Sequence, residues 1–159
     1  MRLKNILIVV KDIEISKKFY KEIFGLDVVV EFEGNVILTE GIVLQREDIW
    51  KATVEEYVSN KSNSWELYFE ESYMDGYLQR LQSSDWDIKY VTPLIERDWG
   101  QRLVRIYDPD GHIIEVGEAE ESVARRFLDV GMSIDEVAEK MRVPRDYIEE
   151  ISKKISYAN

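Results

Sequence analysis

The chain of 159 residues has one histidine and no cysteine. His112 stands three residues before Glu115 in IYDPDGHIIEVGE, an apolar stretch with the alternation of a strand. Thiolate metal sites, disulfides and thiol chemistry are therefore absent from the reading. A first-row divalent ion held by nitrogen and oxygen normally needs three or more good donors, mostly imidazole or carboxylate. A His/Glu pair alone is two. Side chains alternate across a strand, so if Glu115 faces a pocket then Ile113 does too, while His112 and Ile114 face the other way. His112 is accordingly expected to close the turn after Gly111. Glu115 itself can act as a general base, pair a cationic ligand group, or end a hydrogen-bonded polar cluster. Arg102 and Arg105, on the preceding strand, sit at odd spacing and must face opposite sides. Both are candidates for ligand binding, with a solvated outer face as the alternative. Trp50 and Trp99 are the candidate aromatic walls, since a cation or planar ring on Trp gains about 0.5–2 kcal/mol. Trp86, at a helix–strand junction, reads as ordinary core.

The elements that must position these groups follow from periodicity. Leu3 to Val10 reads as a strand. Asp12 caps a helix through IEISKKFYKEIF, with Ile15, Phe19 and Ile23 every four residues, and Gly25 stops it. DVVVEFE, NVILTE and IVLQRE are three short strands split by Gly34 and Gly41. Residues 64–118 repeat this β-α-β-β-β order: SWELYFEE, the helix MDGYLQRLQSS, then IKYVTPLIE, QRLVRIYD and HIIEVGE, the last two joined by Asp-Pro-Asp-Gly. Asn5 falls against Ser64, Asp12 against Glu71, and Leu26-Asp27-Val28 against Trp86-Asp87-Ile88. DIWKATVEEYVSNKSN, 48–63, reads as a connector with about one helical turn. Residues 119–159 form a three-helix appendage, in which Ser133 caps the second helix and Pro144 begins the third.

The tandem modules resemble the vicinal oxygen chelate superfamily: glyoxalases, extradiol dioxygenases, and fosfomycin- and bleomycin-resistance proteins. The local support is VVKDIEISKKFYKEIFGLDVV and, more specifically, WGQRLVRIYDPDGHIIEVGE. The resemblance covers residues 3–118. It implies an α+β fold of two tandem βαβββ modules, about 1–47 and 64–118, curled into an open barrel with a small-molecule site on its concave face. It also implies four inward positions used for metal by part of the superfamily: Asn5, Gln45, Ser64 and Glu115. Only Glu115 is a strong ligand, with Gln45 able to assist. The expectation is therefore a glyoxalase/bleomycin-resistance-like binding protein without a catalytic metal. Asn5, Gln45, Ser64, Trp50, Trp99, Arg102 and Arg105 would contact the ligand. The alternative is a lyase/isomerase or dioxygenase that uses Glu115, with nickel, zinc or iron if any metal is bound. Single barrels of this kind commonly pair, so a homodimer is expected.

Charge and hydropathy narrow the partners. The net charge of -11 argues against phosphate-backbone binding. GMSIDEVAEKMRVPRDYIEEI has the rhythm of a helix-turn-helix, with Arg142 where its turn glycine usually stands. The tail from Glu118 carries seven basic and ten acidic residues, however, so a ligand-sensing DNA regulator is the least favoured reading. A helical cap that buries Val123, Phe127, Ile134, Val137, Ile148 and Ile151 is expected instead. No apolar run reaches membrane-span length, and the first residues lack the pattern of a secretory signal, so the expected location is the cytoplasm.

Overall fold

A computed structural model of the protein describes residues 4–54 and 63–158. Strand β1 (Ile6–Val10) leads into helix α1 (Ile13–Phe24), followed by β2 (Val28–Phe32), β3 (Asn35–Leu38), β4 (Ile42–Arg46) and α2 (Glu47–Val54). The second module runs β5 (Glu66–Glu71), α3 (Met74–Ser83), β6 (Tyr90–Glu96), β7 (Arg102–Tyr107) and β8 (Ile113–Glu118). Helices α4 (Glu120–Asp129), α5 (Ile134–Met141) and α6 (Arg145–Ala158) complete the chain. The fold is α+β, with two four-stranded sheets in the same order, β1-β4-β3-β2 and β5-β8-β7-β6. In the first sheet β1 and β4 are parallel, while β4, β3 and β2 are antiparallel. Pro93 sits in β6, an edge strand, where its missing N–H costs the ladder least.

The local signals act where the sequence places them. Asp12 accepts a hydrogen bond from the Ile15 N–H, and Gly25 ends α1 in the left-handed region. The buried stripe of α1 differs from the four-residue spacing. Ile13, Ser16, Phe19, Tyr20 and Ile23 are buried, whereas Ile15 is largely exposed. A stripe advancing by three or four residues stays on one helix face, and Ile15 falls off it. The start of the connector also differs. Residues 47–54 form two turns of helix, with Ile49 lying over Gly34 in the β2–β3 turn, where a β-carbon would meet its methyl group. The rest of that connector, 55–62, lies outside the described residues.

The chain divides into two compact units. One gathers the first module, β5 as far as Leu67, and residues 80–89 and 107–113. The other holds residues 68–79, 90–106 and everything from Ile114 onward. In the first, Trp86 meets Phe19 edge-on at 5.2 Å and donates from its indole nitrogen to Glu22 at 2.7 Å. In the second, Val123, Ala124, Phe127, Val137, Met141 and Ile148 form the core of the helical appendage. Ser133 and Glu136 form a reciprocal capping box at the start of α5, and Arg142 ends α5 with φ 60°. A left-handed arginine thus occupies the position where a glycine would cost less strain.

Candidate functional site

On the first sheet, α1 lies against β4, and that side carries the buried Ile8, Val10, Val36, Leu38 and Leu44. Register defines two rows on the opposite face: Leu7, Val43, Ile37 and Val30, then Val9, Gln45, Asn35 and Phe32. Leu7, Val30 and Phe32 are about half-exposed. The face is apolar, with one amide pair at its centre: Gln45 donates to the Asn35 side-chain oxygen at 2.8 Å. Asn5 donates its amide to the Gly41 carbonyl at 3.1 Å. Such a surface can cover an apolar ring and offer amide groups to its substituents.

The second sheet has a polar counterpart. Arg105 pairs with Thr92 in register, and strand alternation puts Leu103, Arg105, Glu115 and Gly117 on one side. Arg105 forms an ion pair with Glu115, whose side chain is nine-tenths buried. Beside them, Gln101 donates to the Tyr68 hydroxyl at 3.3 Å and to the Glu118 carbonyl at 3.0 Å. A β-carbon at Gly117 would stand 2.8 Å from the Tyr68 oxygen and 3.1 Å from the Gln101 nitrogen. The glycine therefore lets both side chains lie across the strand that carries Glu115. Burial raises the Tyr68 pKa. The Gln101 hydrogen bond works against that rise, and the charges of Glu70, Glu115 and Glu120 add to it, so the phenol stays protonated.

The opposite side of the same sheet is occupied by a structural lock. Glu118, almost wholly buried, accepts from Arg102 at 3.0 and 2.8 Å and from Arg126 at 3.2 Å. Arg102 also reaches Asp75 on α3 at 2.7 Å. Burial pushes the Glu118 carboxyl up, but the two guanidinium partners outweigh it and hold the group below its ordinary range. Arg126 further donates to the Gly100 carbonyl at 2.5 Å, and the Phe127 ring stands where a Gly100 β-carbon would go. Arg102 is thus bound to protein carboxylates on β8 and α3, facing away from Arg105 as the odd spacing requires.

His112 is part of a buried cluster at the hairpin turn. Asp108 accepts from the His112 Nδ1 at 2.7 Å, the Tyr20 hydroxyl at 3.0 Å, and the backbone N–H groups of Asp110 and His112. The imidazole ring also lies 5.4 Å from that of Trp65. Its role in closing the turn is visible in these bonds. The remaining candidates are dispersed. Trp50 is half-buried on α2, Ser64 is exposed before β5, and Trp99 lies in the turn before β7 with Arg97 6.0 Å from its ring. Asn35, Tyr68 and Gln101 were missed from sequence. Asn35 and Tyr68 carry a local signal, because alternation from Ile37 and from Glu66 or Glu70 puts them on the less buried face.

Two βαβββ modules, each with a four-stranded sheet, define the class. The profile of the Glyoxalase-like domain matches residues 3–121, and the chain belongs to that family. Among solved structures, a protein of unknown function from Agrobacterium tumefaciens is 34% identical with TM-score 0.65, over 75% of this chain and 94% of that one. A glyoxalase-related enzyme from Fulvimarina pelagi aligns at 22% identity and TM-score 0.62, over 74% and 88%. A fosfomycin resistance protein from Listeria monocytogenes aligns at 18% and TM-score 0.57, over 75% and 93%. These last two share the fold. No curated protein matches the chain.

Proposed function

We propose that the protein binds a small organic molecule on the exposed apolar face of the first sheet of its glyoxalase-like fold and holds no catalytic metal. The ion pair between Arg105 and Glu115 carries this reading. In the superfamily the metal-binding branch would use Asn5, Gln45, Ser64 and Glu115, and this donor set does not fit such an ion. Its one carboxylate is already engaged by a guanidinium, and a cation beside a ligand position repels a second. Gln45 and Asn5 offer neutral amides that are themselves hydrogen-bonded, and Ser64 offers a weak hydroxyl donor. Among the described residues, no three histidine, aspartate or glutamate side chains are grouped as metal ligands.

The ligand suited to this face has an apolar body for Leu7, Ile37, Val30 and Phe32 and polar substituents for Gln45 and Asn35. The enzymatic alternative, a lyase/isomerase or dioxygenase with Glu115 as base or ligand, is less favoured. A carboxylate bound to arginine must give up that partner before it takes a proton or a metal. In keeping with the family habit, we further propose a cytoplasmic homodimer. The direct test is replacement of Glu115 by Gln. On this reading the variant retains ligand affinity within a few-fold and no metal-dependent turnover is lost. Turnover that vanishes with Glu115 would establish the enzyme instead.

A further inference from the structure

We propose that the cleft over the Asp108–Gly111 turn is a second ligand site, separate from the sheet faces, for a planar aromatic ring bearing an anionic group. One part of it, about 380 Å³, is lined by Lys11, Asn63, Lys89, Tyr107 and the turn itself. A smaller part, about 160 Å³, shares Lys89, Tyr107, Asp108 and Pro109 with it and adds Phe19 and Trp86. Lys11 therefore lines the larger part, Phe19 and Trp86 the smaller, and Lys89 and Tyr107 both, all within a single compact unit.

The cleft brings together two lysines that form no ion pair among the described residues. Five of the ten described lysines are held by carboxylates: Lys17, Lys18, Lys21, Lys51 and Lys154 all form ion pairs. Lys11 and Lys89 form none with any described residue. The acids beside them are hydrogen-bonded by groups of the protein. Both oxygens of Asp108 are taken by Tyr20, His112 and backbone N–H groups. Asp110 accepts from the Lys11 N–H at 3.1 Å. Burial, ahead of the neighbouring charge of Asp108, raises its pKa against the pull of the Lys11 N–H and of the His112 and Lys11 charges. The Asn63 amide donates to the Tyr107 hydroxyl at 3.1 Å, and both residues line the larger part of the cleft. Trp86 and Tyr107 supply ring surface, and Asp87 at that end disfavours a second negative group, which sets the ligand's direction.

Phenyl phosphate is the probe, titrated into the intact protein and followed by backbone amide shifts. The expected result is saturable shifts at residues 11, 89 and 107–111. Affinity should fall about tenfold or more in Lys11→Ala/Lys89→Ala and stay unchanged in Lys153→Ala, which removes an exposed lysine outside the cleft. Both lysine side chains are exposed, and their removal leaves the Lys11 backbone bond to Asp110 intact, so the double variant should fold. Four results would overturn the assignment: no saturable shifts, equal affinity in the double lysine variant, loss of binding in Lys153→Ala, or equal affinity for inorganic phosphate or benzylamine.

Discussion

Arg105 on β7 is ion-paired with Glu115 on the neighbouring strand β8, and the carboxylate is largely buried. Removing one member of a buried pair leaves the other as an uncompensated charge, which costs more than the pair contributes. Arg105→Ala is therefore expected to destabilise the protein by about 3 kcal/mol. Adding Glu115→Gln should recover part of that loss. Guanidinium denaturation of the two single variants and the double variant measures this, and additive losses would show that the pair is not coupled.

Glu118 gives a pH dependence with a defined sign. Its folded pKa lies below the ordinary value, so its contribution is complete above about pH 4.3 and is lost as pH falls through the depressed folded value. Amide exchange protection of α4, which Glu118 ties to the sheet through Arg102 and Arg126, should fall in acid before that of α1. Glu118→Gln should cost about 2 kcal/mol and flatten the pH response. A variant with the same acid response as the parent would remove Glu118 from this role.

Gly100 is fixed by what packs on it. Its φ of 92° and the Phe127 ring both exclude a β-carbon. Gly100→Ala should lower stability by about 2–4 kcal/mol, combining backbone strain with displacement of the ring. Gly25→Ala shares the positive φ but meets open space, and should cost only about 1 kcal/mol. Thermal unfolding of the two variants provides the comparison. Equal losses would mean that the Phe127 contact contributes nothing.

The helical tail should not bind duplex DNA. Arg145, at the start of α6, is already bound to Asp135 at 2.7 Å and to Glu149, and Asp146 and Glu150 flank it. Fluorescence anisotropy with random duplex at low salt should show no salt-dependent binding, and a steep salt slope would reverse this view.

How much of this was legible in the sequence depends on the range of each interaction. Asp12, Gly25 and Ser133 act within four residues of themselves, so their caps could be read directly. The repeat of module order gave the two sheets, because strand and helix periods are local properties. The packing of Gly100 against Phe127 could not be read, since the ring arrives from a helix 27 positions later. The same holds for Arg102 and Arg105. Odd spacing assigns them to opposite faces, but only strand neighbours reveal that Glu118 and Glu115 meet them there. For Asn35, alternation from Ile37 gave the face, but its pairing with Gln45, ten residues away in the chain, comes from register between strands.

Metal content tests the central claim most directly. The purified protein is dialysed against nickel, zinc and ferrous iron in turn, freed of loose ions, and analysed by mass spectrometry for metal per chain. The account predicts no stoichiometric retention of any of the three, with Arg105→Ala the only variant in which weak retention emerges. One tightly held ion per chain in the parent protein, lost on Glu115→Gln, would contradict it.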